Sequence, residues 1–100
     1  MTMQFSIKVH RHPDDVITAV CDAEILGKTF RGDGLRIEVS NGFYGGDVVS
    51  EEEVRNALRT CSVANIVGNN VVDIALDMGL ISPENVITIG GVRHAQAVRM

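Results

Sequence analysis

Gly90-Gly91, set between the β-type runs Val86-Ile87-Thr88-Ile89 and Val92-Arg93-His94-Ala95-Gln96-Ala97-Val98, most constrains how this chain folds. A two-residue reversal of the primed kind needs positive φ at both positions, which glycine supplies without steric cost. The chain is therefore expected to end in a tight hairpin. Alternation along its second strand puts His94 and Gln96 on one side. An imidazole and a carboxamide there make a polar surface, not by themselves a reaction centre.

The other end reads in the same way. Phe5, Ile7 and Val9 alternate with Ser6, Lys8 and His10, the period of a strand with one buried face. Pro13-Asp14-Asp15 supplies turn chemistry, and Val16-Ile17-Thr18-Ala19-Val20-Cys21 is β-branched enough for the return strand. Asp22 is placed to cap a single helical turn through Ala23-Glu24-Ile25-Leu26, with Gly27 ending it. Residues 28 to 31 and 35 to 40 flank Gly32-Asp33-Gly34, a second hairpin. Asn41-Gly42-Phe43-Tyr44-Gly45-Gly46-Asp47 reads as loop.

Two helices follow. Ser50 and Glu53 form a capping box, Val49 and Val54 a hydrophobic staple, and Glu51, Glu52 and Glu53 suit the positive end of the dipole. Val54, Ala57, Leu58 and Cys61 make one buried stripe. A second helix is expected from about Gly68-Asn69-Asn70 to Met78-Gly79, with Pro83 blocking continuation. Ala64-Asn65-Ile66-Val67 fits either a short strand or the tail of the first helix. Strands, then helices, then a strand pair predict an α+β domain of two layers, a mainly antiparallel sheet of hairpins with two consecutive helices on one face.

Composition restricts the function classes. The 100 residues, 45% hydrophobic and 22% charged, suit one soluble domain. No apolar run is long enough to span a bilayer, and the start lacks a basic segment before an apolar one, so a cytoplasmic protein is expected. Cys21 and Cys61 have no C-x-x-C partner, lie in apolar segments and are expected as buried thiols. The net charge of −4 excludes a uniformly basic nucleic-acid binder. It is unevenly spread: residues 47 to 84 hold two basic and seven acidic groups, and residues 85 to 100 hold two basic and none acidic. An acidic helical face and a mildly basic sheet face are expected.

Several strings now read together: Leu26-Gly27-Lys28-Thr29-Phe30-Arg31, Phe43-Tyr44-Gly45-Gly46, Ala64-Asn65-Ile66-Val67-Gly68, and Ile87-Thr88-Ile89-Gly90-Gly91-Val92-Arg93-His94-Ala95-Gln96. In this order and spacing the chain resembles the small archaeal family catalogued as domain of unknown function 424, over essentially its whole length. The resemblance implies an archaeal cytoplasmic protein of one compact domain, residues 1–100, and suggests a place beside the translation machinery. It brings no catalytic residue and no cofactor. His10 and His12 lie outside these strings.

Local chemistry gives weaker signals. Gly27-Lys28-Thr29 has the ending of a phosphate-binding loop, but the glycine required five positions earlier is Asp22. The helix start at Gly68-Asn69-Asn70 offers backbone N–H groups to an anion, against ordinary asparagine capping. His10-x-His12, with His94 or Cys21, is the only set resembling metal ligands, and Pro13 turns the chain beside it. Cys21 with His94 as base and Asp22 as orienting carboxylate is the one nucleophile pair available.

Three functional expectations result. The first is a non-enzymatic binding module docking on RNA or a ribonucleoprotein through sheet-side basic and aromatic residues, Lys28, Phe30, Arg31, Arg36, Tyr44, Arg93 and His94; the candidate site adds Phe43, Asn65 and Gln96. The second is an adaptor whose acidic helix meets a basic protein partner. The third is an enzyme for a small polar substrate, with His94 as acid or base in a pocket shared with Asn65 and Gln96. No metal, cofactor or membrane is expected.

Overall fold

The structure is a computed structural model that describes residues 3–98. A six-stranded sheet is built from β1 (Phe5–Arg11), β2 (Val16–Asp22), β5 (Asp47–Val49), β6 (Val63–Val67), β7 (Ile87–Ile89) and β8 (Val92–Val98), in the order β5-β1-β2-β6-β8-β7. β3 (Thr29–Gly32) and β4 (Leu35–Glu38) form a separate two-stranded hairpin. The helices are α1 (Asn41–Tyr44), α2 (Glu51–Thr60) and α3 (Asn69–Asp77), with single 3-10 turns at Ala23–Ile25 and Pro83–Asn85. The fold class is the expected α+β, with mostly antiparallel pairing and helices packed on the sheet.

The two-residue period fixes what each face carries. Phe5, Val20, Ala64, Ile66 and Ala95 turn to one side and meet Val54 and Leu58 of α2 and Val71, Val72, Ile74 and Ala75 of α3. Ala19, Cys21, Val67 and Val92 turn to the other and meet Val39 and Tyr44, with Phe30, Ile37 and Phe43 packed around them. The second face is thus covered in part by the β3–β4 hairpin and α1.

Gly90 and Gly91 have φ of 57° and 84°, and Ile89 pairs with Val92 across them, as the terminal hairpin requires. The capping box at Ser50 and Glu53 is formed. Three readings are corrected. Residues 64–67 belong to strand β6, which separates the two helices and pairs with β2 in parallel, so the helices are not consecutive elements. The expected loop at residues 41 to 47 contains α1 and leads into the edge strand β5. Asp22 does not cap the turn that follows it; its carboxylate accepts from the backbone N–H groups of Asn70 and Val71, both at 3.0 Å, and so caps α3.

That last contact removes the anion site proposed at the start of α3. The chain's own carboxylate holds the free N–H groups, and neither asparagine supplies the cap. Asn69 instead points to the terminal hairpin, its Oδ1 accepting from the Arg93 amide and Nε and its Nδ2 donating to the Gly91 carbonyl. No helix among the described residues is long and apolar enough to cross a membrane.

Candidate functional site

Register across the sheet places the polar groups of the second face in rows. Lys8, Ala19, Asn65 and Gln96 face one another on β1, β2, β6 and β8; Ser6, Cys21, Val67 and His94 form the next row. Small Ala19 leaves room for the Tyr44 ring, which is 4% exposed and donates its hydroxyl to Asn65 Oδ1. Burial pushes the Tyr44 phenol up to about 12, so it remains a donor at neutral pH. With Oδ1 accepting from Tyr44, the Asn65 amide NH2 is turned away from the phenol, and Gln96 is the residue facing it on β8.

The segment carrying Tyr44 is held by successive polar residues of β1. Lys8 Nζ donates to the Gly42 carbonyl (2.9 Å), His10 Nε2 to the Phe43 carbonyl (2.9 Å), and Ser6 Oγ to the Tyr44 carbonyl (2.8 Å). Ser6 Oγ also accepts from the Gly46 amide (3.2 Å). The His10 ring stacks on Phe43 at 4.7 Å and 17°, and Phe43 meets Tyr44 edge-on at 4.9 Å. Both aromatics therefore close the second core cluster rather than standing free in a loop.

His94 is half-buried, and its Nδ1 lies 2.8 Å from the Ile66 carbonyl. A carbonyl only accepts, so Nδ1 carries the proton and Nε2 keeps its lone pair in the neutral ring. Burial lowers its pKa, against the carbonyl's opposing pull. An NMR pH titration is expected to place the ring below the ordinary imidazole value. The sign for stability follows: the unfolded chain binds the proton first, so the His94 contribution is complete above pH 6.5, the ordinary value, and is lost as pH falls through the native value. His94→Gln, which keeps a donor for Ile66, is expected to flatten that slope in urea unfolding midpoints measured from pH 7 to 5.

The pairing of Cys21 with His94 is overturned by the register. Val67 stands between them in their row, and burial pushes the Cys21 thiol up to about 11. Cys21 and Cys61 are both free and buried. His10, the first of the two histidines weighed as metal ligands, spends Nε2 on Phe43. No group of three or more His, Cys, Asp or Glu among the described residues is placed to hold a metal ion.

The candidate residues fall into three places. Phe43, Tyr44, Asn65, His94 and Gln96 share the second face. Lys28 and Arg31 lie exposed beside or on the hairpin, where half-buried Phe30 and Ile37 pair and pack toward the sheet. Arg93 belongs to neither group. One residue before His94, it projects to the α3 side, where its Nη2 meets Asp73 at 2.7 Å and the Asn69 carbonyl at 2.8 Å. The sheet-side grouping of Arg93 with His94 is therefore corrected by strand alternation.

Alternation puts Ser6, Lys8 and His10 on one side of β1, but nothing local in the sequence marks them as the clamp on residues 42 to 44. Arg31 faces Arg36 directly across the β3–β4 ladder, a register that the composition of the hairpin does not fix. Both are exposed, and neither makes an ion pair among the described residues, nor does Lys28. The carboxylates of the helix side are differently used. Glu51 and Asp77 hold Arg55, Asp73 holds Arg93, and Glu53 closes the capping box, which leaves Glu52 as the carboxylate of the first turn of α2 without an ion pair among the described residues.

The family model described as "Protein of unknown function (DUF424)" matches residues 10–100. The chain belongs to this family. The DUF424 fold is also found in a solved structure, "Crystal structure of an uncharacterized conserved protein from Methanopyrus kandleri", with a TM-score of 0.75 and 24% identity. The alignment covers 97% of this chain and 95% of that one. No curated protein matches the chain. The strings that carry the family resemblance include glycines at close approaches: a Cβ on Gly46 would strike the Ile7 carbonyl, one on Gly68 would lie 2.5 Å from the Asp22 carboxyl carbon, and one on Gly90 2.7 Å from the Arg31 carbonyl oxygen. These glycines of the DUF424 strings thus join elements distant in sequence.

Proposed function

We propose that this DUF424 protein is a non-enzymatic binding module of the cytoplasm that docks on RNA, in a ribonucleoprotein of the translation machinery, through the outer side of the β3–β4 hairpin. The observation that carries this reading is the Arg31 and Arg36 pair. Like charges directly opposite on a ladder repel, and with both exposed and neither in an ion pair among the described residues, the pair is open to a mobile anion or a phosphate. Lys28 lies just before β3 and adds a third cation. The aromatic side chains once grouped with them are packed into the second core cluster, so the contact is with the phosphate backbone rather than with stacked bases.

A salt titration of binding to a labelled single-stranded RNA of mixed sequence, read by fluorescence anisotropy, tests this. Each phosphate neutralised contributes a slope of about −0.7 in log K against log salt. The double variant Arg31→Glu with Arg36→Glu is expected to weaken binding and to shrink the slope by about 1.4. Glu52→Lys is expected to leave RNA affinity unreduced. Absence of salt-dependent binding, or equal binding by the double variant, would overturn the reading. The adaptor reading has less support because Glu51 and Glu53 are engaged within α2.

A further inference from the structure

Part of the second face lies beyond the cover of α1 and the β3–β4 hairpin. The register sets Ile17, Val63 and Val98 side by side on β2, β6 and β8, and none of the three belongs to either core cluster. Ile17 and Val63 are half-buried and Val98 is 68% exposed, so together they form an aliphatic shelf. In the next row Asn65 stands opposite Gln96, and His94 follows two positions before Gln96 on the same side of β8. Val92, two positions earlier again, lies in the cluster against which Phe30 and Ile37 of the hairpin pack. Shelf, polar row and hairpin thus succeed one another along β8, with about 13 Å between Val92 and Gln96.

The polar atoms of this row have a fixed sense. Asn65 Oδ1 is taken by the Tyr44 hydroxyl, so Asn65 offers a ligand its NH2 donors. His94 Nδ1 donates to the Ile66 carbonyl, so the neutral ring offers the Nε2 acceptor. Among the described residues no buried side-chain nitrogen or oxygen lacks a partner, so these two half-buried residues turn their unengaged atoms to solvent. Exposed Gln96 carries both a donor and an acceptor. An anion would meet the His94 lone pair and a cation the Asn65 NH2. The row therefore suits a neutral group that presents an acceptor beside a donor.

We infer that Asn65, Gln96 and His94 receive the edge of one unpaired nucleobase, its ring lying against the Val63 and Val98 side chains. The inference rests on the RNA reading above and supplies it with a base contact in the same strand whose phosphates meet Arg31 and Arg36. Single-stranded RNA exposes base edges that combine acceptors and donors, and the flat ring gives the aliphatic shelf an apolar partner. A peptide amide has the donor and acceptor but neither a ring for the shelf nor a phosphate for the hairpin.

Uncharged nucleosides separate this site from the hairpin, because they carry no phosphate. Adenosine, guanosine, cytidine and uridine are each titrated into the full chain and followed by nitrogen–proton NMR. At least one is expected to shift the side-chain amide signals of Asn65 and Gln96, with ribose alone and a capped dipeptide leaving them in place. Gln96→Ala and Val98→Ser, both at exposed positions, are each expected to weaken that nucleoside about fivefold. Arg31→Glu with Arg36→Glu is expected to leave nucleoside binding unchanged while weakening RNA. No shift with any nucleoside, equal shifts with the capped dipeptide, or full affinity in both Gln96→Ala and Val98→Ser would overturn the inference and leave the hairpin reading to its salt titration. Nucleoside binding lost in the arginine double variant would also overturn it, since the base would then sit on the hairpin.

Discussion

Replacing Asp22 by alanine is expected to destabilise the fold by about 2 kcal/mol, the net of two opposing effects. The carboxylate is 4% exposed and accepts from Asn70 and Val71 at the first turn of α3, whose Val71, Val72, Ile74 and Ala75 are core residues. Its loss strands two N–H groups at a buried helix end. Against this stands the cost of holding a charge away from water, and its direction is visible in the Asp22 pKa, which burial raises even though both N–H bonds pull it down. The alanine variant recovers that desolvation cost, which keeps the loss near 2 kcal/mol rather than the larger sum of two charge-assisted bonds.

Asp22→Asn separates the two effects. The amide keeps an accepting oxygen and carries no charge, so its loss in urea unfolding is expected to be smaller than that of alanine. The pH dependence has a definite sign. A carboxyl whose native pKa lies above its unfolded value favours folding most below the ordinary value of 3.8 and loses that contribution as pH rises through its raised native value. Asp22→Asn is expected to remove this decline. His94 acts in the opposite sense, its contribution falling on acidification.

The difference between Asp22 as read and Asp22 as placed shows what the sequence makes legible. Caps, turns and periodicity are local, and the local elements appear where expected: the box at Ser50 and Glu53, the glycine turn at 90 and 91, the alternation of β1. Asp22 had a plausible local partner three residues on, yet it serves a helix 48 positions away, because β2 and β6 pair in parallel and deliver the start of α3 beside the end of β2. Asn65 was ambiguous for a related reason. Ala64-Asn65-Ile66-Val67 is apolar enough for either a helix end or a buried strand, and only its two neighbours, β2 and β8, decide. Side-chain alternation separates Arg93 from His94 without any structure at all, whereas the opposition of Arg31 and Arg36 depends on a two-residue turn at Asp33 and Gly34, with Gly32 in the ladder opposite Leu35, rather than on a connection of all three residues Gly32-Asp33-Gly34.

Gly46→Ala is expected to cost on the order of 3 kcal/mol, near the upper range for overpacking, because the added carbon meets backbone rather than a movable side chain. The obstruction is the Ile7 carbonyl oxygen, with the Ile7 carbonyl carbon at 3.1 Å and Lys8 Cα at 3.3 Å, all in β1. Relief requires β5 to draw away from β1, which strains the Gly46 amide bond to Ser6 and the clamp on residues 42 to 44. Gly42→Ala is the matched control. It lies in α1 four residues earlier, its Cβ would meet nothing within 4 Å, and replacing a helical glycine stabilises by up to about 1 kcal/mol. Thermal or urea unfolding of the pair is expected to move in opposite directions. Equal effects would mean that the glycines of this segment serve chain flexibility, whereas opposite effects assign Gly46 to the close approach that fixes Tyr44 over Asn65.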